Sequence, residues 1–172
     1  MVEKYSIFIN FPQLRALVDQ LATEVGNPSF MPHVTLAGHI HASREEAVEL
    51  TKGVAATARP FELEFNGLGT QNREFRFFCL LARPSADLKN IYSIVHNMIP
   101  DVSDETFNTW PHASLLYGTP SAVKMYPRID PLIERFGQTL DGMYAVSNIS
   151  LWETSGPVER WNEIVSCQLG SW

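Results

Sequence analysis

Two short segments of this 172-residue chain place an imidazole two positions before a hydroxyl: His33 with Thr35, and His112 with Ser114. In an extended strand residues i and i+2 point to one face, so each segment would present its imidazole and hydroxyl together. Two such strands beside one cleft supply two proton-transfer groups and two hydrogen-bond donors. That set suits the opening of a cyclic phosphodiester by water. One imidazole removes a proton from the nucleophile and the other protonates the departing oxygen, while the hydroxyls hold negative charge on the non-bridging phosphate oxygens. Histidine titrates near pH ~6.5, so one copy can start neutral and the other charged. The residues alone do not say which is base and which is acid. Neither a metal nor a cofactor is needed for this chemistry, and none is expected.

A bare HxT or HxS is a weak signal, since His41, Ala42 and Ser43 match it too. Ser43 is better used as a helix N-cap, with Glu46 completing a capping box. The specificity lies in the flanks. PHVTLAG at 32–38 and PHASLLYG at 111–118 share proline, histidine, an apolar residue, a hydroxyl residue, leucine and a closing glycine, 79 positions apart. A metal reading that gathers His33, His39, His41 and His112 is weaker, because Gly38 ends or bends the strand ahead of His39 and His41. His96 reads as a surface residue beside a helical stripe.

On these motifs the chain resembles the 2H phosphoesterase superfamily, and PHASLLYG is similar to the second motif of its plant and fungal cyclic phosphodiesterase branch. The resemblance implies hydrolysis of ADP-ribose 1″,2″-cyclic phosphate, a by-product of tRNA splicing, and of nucleoside 2′,3′-cyclic phosphates. It assigns catalysis to His33 and His112 and phosphate binding to Thr35, Ser114 and Tyr117. Strand parity turns Tyr117 away from the cleft, unless a bend near Gly118 brings it back.

The elements that must position these groups follow from periodicity. Residues 4–11 alternate as a strand, and Leu14, Leu17, Val18, Leu21 and Val25 mark a helix. HVTLAGHI is a second strand, followed by a helix from Ser43 to a stop at Pro60. A strand at 61–65, a turn GLGTQN and a strand FRFFCLLA come next, then a helix over Leu88, Ile91, Val95 and Met98. The second motif strand starts at His112. The stretch 120–140 suits broken helical pieces because of Pro127 and Pro131, and strands at 144–152 and 161–169 close the chain. With a helical segment on either side of each motif strand, this is an α+β fold: two pseudo-symmetric lobes, antiparallel sheets facing a central cleft, helices outside. No linker of biased composition divides residues 1–172, so one bilobal domain is expected.

The net charge of -6 argues against a basic, salt-driven polynucleotide groove and leaves room for a small anionic nucleotide as partner. Without a long apolar run or a basic leader, the chain is expected to be soluble, cytoplasmic and monomeric, with no membrane partner. Cys79 and Cys167 read as reduced core thiols, a disulfide between them staying open. Trp110, Phe77 and Trp152, with Phe75, are candidates to stack on a base. Arg73, Arg76, Lys124 and Arg128 are candidates to meet a phosphate. Two other functions remain open at this point: an RNA-end enzyme, ligase-like or exonuclease, and a non-catalytic nucleotide or RNA-binding module of the same fold.

Overall fold

A computed structural model describes residues 4–71, 74–99, 111–118, 124, 129–136 and 139–170. Eight strands form one antiparallel sheet in the order β6-β3-β4-β5-β2-β1-β7-β8. They are β1 Tyr5–Asn10, β2 His33–Ile40, β3 Phe61–Thr70, β4 Phe78–Ala82, β5 His112–Leu116, β6 Gly142–Val146, β7 Asn148–Glu153 and β8 Asn162–Gln168. The helices are α1 Arg15–Val25, α2 Arg44–Thr57, α3 Ala86–Met98 and α4 Ile129–Phe136. The two lobes are thus two four-stranded halves of a single sheet, β2-β1-β7-β8 and β5-β4-β3-β6, meeting where β2 pairs with β5.

Local chemistry explains where the elements stop. Ser43 accepts from the Glu46 backbone N–H while the Glu46 carboxylate accepts from the Ser43 N–H, closing the expected capping box at the start of α2. Gly26 ends α1 in the left-handed conformation, at φ 70°, which a residue without a β-carbon adopts freely. The apolar faces of α1, α2 and α3 cover one side of the sheet: α1 packs on β5, α2 on β7 and β8, α3 on β2 and β3. Ile7, Ile9, Val34, Leu36, Ala113, Leu115 and Leu151 are buried beneath them.

Three boundaries differ from the sequence reading. The strand read over FRFFCLLA starts only at Phe78, after a short helical turn Glu74–Arg76. GLGT belongs to β3 and not to a turn, because a register shift between Phe65 and Leu68, with Gly67 at φ 92°, lets the strand continue to Thr70. The strand expected at 144–152 is two strands, β6 and β7, joined through Ser147 and paired with opposite halves of the sheet. Six strand spacings separate them in sheet order, ~29 Å across a flat sheet. One linking residue can join them only if the sheet curls. Ring contacts show the same curl: Phe11, just past β1, meets Phe65 of β3 at 5.0 Å and Tyr144 of β6 at 5.9 Å.

One bond ties the helix layer to the first motif strand. The Tyr92 hydroxyl on α3 donates to the backbone carbonyl of Thr35 at 2.7 Å. Tyr92→Phe keeps the ring and leaves that carbonyl without its side-chain partner, so it should cost about 1–3 kcal/mol of stability. A urea midpoint identical to that of the wild type would show that the bond contributes nothing.

Candidate active site

The pairing between β2 and β5 sets Val34 opposite Ala113, both buried. Since Val34 and Ala113 belong to the hydrophobic core, alternation sends His33, Thr35, His112 and Ser114 to the opposite side of the sheet. Antiparallel register carries His33 toward Ser114 and Thr35 toward His112. The four residues singled out in the sequence therefore form one patch astride the joint between the halves.

The two imidazoles sit in different surroundings. His33 is 7% exposed and lies flat on Phe8, ring centroids 3.7 Å apart and planes at 16°. Phe30 meets it edge-on at 6.4 Å and Trp161 approaches at 6.4 Å. Its Nδ1 is 2.6 Å from the carbonyl oxygen of Met31. A carbonyl only accepts, so Nδ1 carries the proton and Nε2 keeps its lone pair. Burial pushes the His33 pKa down to about 4; the Met31 bond opposes the shift and the nearby positive charge of His112 adds to it. His33 is thus a neutral proton acceptor at neutral pH. His112 is half-buried.

Ser114 is buried, donates its hydroxyl proton to the Phe75 carbonyl at 2.7 Å, and lies 3.7 Å from the Cys79 sulfur. Burial pushes the Cys79 thiol up to about 12, partly offset by its contact with Ser114 and by the Arg76 charge, so it stays protonated. Both cysteines are free. Thr35 is half-buried.

Tyr117 lies just past the end of β5, where strand parity no longer directs its ring. The ring stacks on Phe30 at 3.9 Å and 5°, meets Phe75 edge-on at 5.2 Å and reaches Trp161 at 6.4 Å. It therefore belongs to the aromatic group that borders His33. Burial raises its pKa, so its phenol remains a donor. The Asn27 side chain donates to its carbonyl at 3.1 Å, tying the loop after α1 to the end of the second motif.

The stacking candidates fare differently. Phe77 is fully buried in the core and offers no face to a ligand, which corrects that expectation. Trp152 stands 6.1 Å from Phe8, one ring removed from His33, with its indole nitrogen buried and without a partner among the described residues. Trp110, Arg73 and Arg128 lie outside the described residues. Lys124 is exposed, and Arg76 lies on the turn Glu74–Arg76, near enough to Cys79 for its charge to be felt. His39 and His41 are exposed, and among the described residues no group of three metal-ligating side chains gathers.

Three aromatic neighbours of His33 were missed in the sequence: Phe8, Phe30 and Trp161. Phe8 did carry a signal. In YSIFIN the apolar positions of one face are Tyr5, Ile7 and Ile9, while Phe8 shares the other face with the polar Ser6 and Asn10. Trp161 stands between Arg160 and Asn162 at the mouth of a turn, where a large aromatic is not needed for the core.

An antiparallel α+β sheet in two like halves, with an HxT strand and an HxS strand meeting at the joint, defines a two-histidine phosphoesterase class. The family model of the 2′-5′ RNA ligase superfamily matches residues 11–157, and the chain belongs to that superfamily, a phosphoesterase-type enzyme. Among solved structures it is similar to the apo form of E. coli LigT, at 20% identity and TM-score 0.63, covering 98% of each chain. It is also similar to a structure described as a phosphoesterase, at 16% identity and TM-score 0.62, over 98% of this chain and 99% of that one. Usb1 of Kluyveromyces marxianus shares the fold more loosely, at 12% identity and TM-score 0.52, over 96% and 98%. No curated protein matches the chain.

The depressed pKa of His33 has a consequence for folding. Below pH ~6.5 the unfolded chain takes up a proton on this histidine that the folded chain refuses until near pH 4, so stability falls with falling pH. By pH 4 the loss should reach about 3 kcal/mol. Urea unfolding of the wild type and His33→Gln across this range should give curves that diverge by that amount as pH falls, and curves that run parallel would contradict it.

Proposed function

We propose that this enzyme opens small cyclic phosphodiesters with water, in the manner of the plant and fungal cyclic phosphodiesterase branch, using His33 as base and His112 as acid. The observation that carries the assignment is the bond from His33 Nδ1 to the Met31 carbonyl, which keeps the proton on Nδ1 and the lone pair on Nε2, in a ring near enough to His112 to feel its charge. Substrate classes are nucleoside 2′,3′-cyclic phosphates and ADP-ribose 1″,2″-cyclic phosphate. The complexes of LigT with ATP, 3′-AMP and NADP+ support an adenine nucleotide as the kind of ligand this fold receives.

In the reaction, water held by His33 Nε2 attacks phosphorus and gives that nitrogen its proton. The bond from phosphorus to one ribose oxygen breaks, and His112 protonates that oxygen as it leaves. The product is a phosphate monoester with a free hydroxyl. Thr35 and Ser114 donate hydrogen bonds to the non-bridging oxygens, where charge builds up. For Ser114 this requires its proton to turn from the Phe75 carbonyl toward the phosphate, since a hydroxyl has one proton to give. The Tyr117 phenol is a further donor at the edge of the same patch.

Steady-state kinetics on a nucleoside 2′,3′-cyclic phosphate and on ADP-ribose cyclic phosphate, in excess EDTA, test this reading. Turnover should persist with the chelator present. His33→Ala and His112→Ala should each lose roughly 10²–10⁴-fold, while His41→Ala, which carries the same bare tripeptide, stays close to wild type. The acid limb of kcat/KM should fall near pH 4, well below an ordinary histidine. A folded His33 or His112 variant with near-full turnover, or activity restored only by added metal, would overturn the assignment. Preference for a cyclic phosphate at an RNA end over both small substrates would move the function to RNA-end processing.

A further inference from the structure

Phe75 is 49% exposed, although ten phenylalanines are available to this chain and eight of the others, Phe8, Phe11, Phe30, Phe65, Phe77 and Phe78 among them, are not left so open. Its position is held on two sides. The turn Glu74–Arg76 is bound to the closing glycine of the second motif through Gly118 N–H to the Glu74 carbonyl, and Gln71 N–H donates to the Arg76 carbonyl at 3.0 Å. Its own carbonyl accepts the Ser114 hydroxyl. The ring is therefore one residue's width from a proposed phosphate ligand, and its backbone is fixed by the site. Across from it stands Trp161, whose indole N–H is tied to the Gly156 carbonyl at 3.1 Å. The two rings are inclined by only 26°, centroids 6.2 Å apart, and Trp161 in turn reaches His33. Phe75 enters between β3 and β4 and Trp161 just before β8, so each half of the sheet contributes one ring.

We infer that the nucleobase of the substrate stacks on Phe75 with Trp161 as its neighbour, making Phe75 the residue that distinguishes a nucleotide cyclic phosphate from one that lacks a base. This rests on the reading of the patch as a cyclic phosphodiesterase site. Two aromatic faces this nearly parallel suit one flat ligand, and every base has such a face. Because the ring is already held, little freedom is lost when a base meets it. Phosphate and base recognition also meet on one residue: as the Ser114 proton turns to the phosphate it leaves the Phe75 carbonyl, while the base engages the Phe75 ring. Stacking does not depend on positive charge, which fits a chain of net charge -6.

The test compares kcat/KM for adenosine 2′,3′-cyclic phosphate with that for glycerol 1,2-cyclic phosphate, a cyclic diester without a base. Phe75→Ala should lower the ratio of the first to the second about 10-fold, within the range of one lost base–aromatic stack. Phe75→Tyr, which keeps a ring, should preserve the ratio. Met143→Ala, removing another strongly exposed apolar side chain, should leave it unchanged. Calorimetric binding of adenosine 2′-monophosphate should weaken about 10-fold in Phe75→Ala, a readout that does not need turnover. If the wild type turned over neither diester, the proposed function would fail while binding still judged the platform. An unchanged ratio together with unchanged monophosphate affinity would overturn the role of Phe75.

Discussion

The imidazole of His33 lies between the face of Phe8 and the carbonyl of Met31, and the arrangement of the site depends on that placement. Burying a polar ring is costly unless its polar atoms find partners. Here one nitrogen is satisfied by a backbone carbonyl two residues earlier, which Pro32 and the loop after α1 hold in place. The flat aromatic contact excludes water from the ring, and the same exclusion drives its pKa down. One nitrogen is spent on fixing the ring and the other is left for a proton. For this to work, β1 and β2 must keep the register that sets Asn10 beside His33 and Phe8 beside Thr35, because a slip of one residue would replace Phe8 with Ile7 or Ile9 from the core face.

The plan of the sheet is close to symmetric, and its chemistry is not. In each half the motif strand lies between two helices in the chain, α1 and α2 around β2 and α3 and α4 around β5, and the two motif strands meet at the joint. That topology supplies two imidazoles and two hydroxyls with similar directions. The aromatic wall of Phe8, Phe30, Tyr117 and Trp161 gathers around His33, whereas His112 remains half-buried. Groups that are equivalent in a motif are thereby set apart by their surroundings, which is the usual way one pair of like residues divides acid and base work. Curling of the sheet brings Trp161, from the turn between β7 and β8, to the rings of the other half.

What could be read from the sequence was what local spacing encodes. The two motifs, their shared face, the capping box at Ser43 and the order of strands and helices through α3 all rest on neighbours a few residues apart, and the structure shows them. The difference in surroundings between the two histidines was hidden because it rests on Phe8 and Trp161, brought to His33 by strand pairing and curling. The change from β6 to β7 was hidden for a similar reason: only the polar pair Ser147-Asn148 marks it locally, and it is the partner strands that divide the segment. In FRFF the short helical turn Glu74–Arg76 resets the alternation, so Phe75 is exposed and Phe77 is buried, the reverse of the stacking expectation for Phe77. Tyr117 could not be placed by parity because the strand ends one residue earlier.

The central claim is that His33 is a neutral base with its proton fixed on Nδ1. Nitrogen-15 NMR of the histidine side chains as a function of pH tests it most directly, with His33→Gln used to assign the signal. The account expects the His33 ring to remain the neutral Nδ1–H tautomer through pH 6 and to take up its second proton only near pH 4. A ring that titrates near pH ~6.5 like a free histidine, or that carries its proton on Nε2, would contradict it.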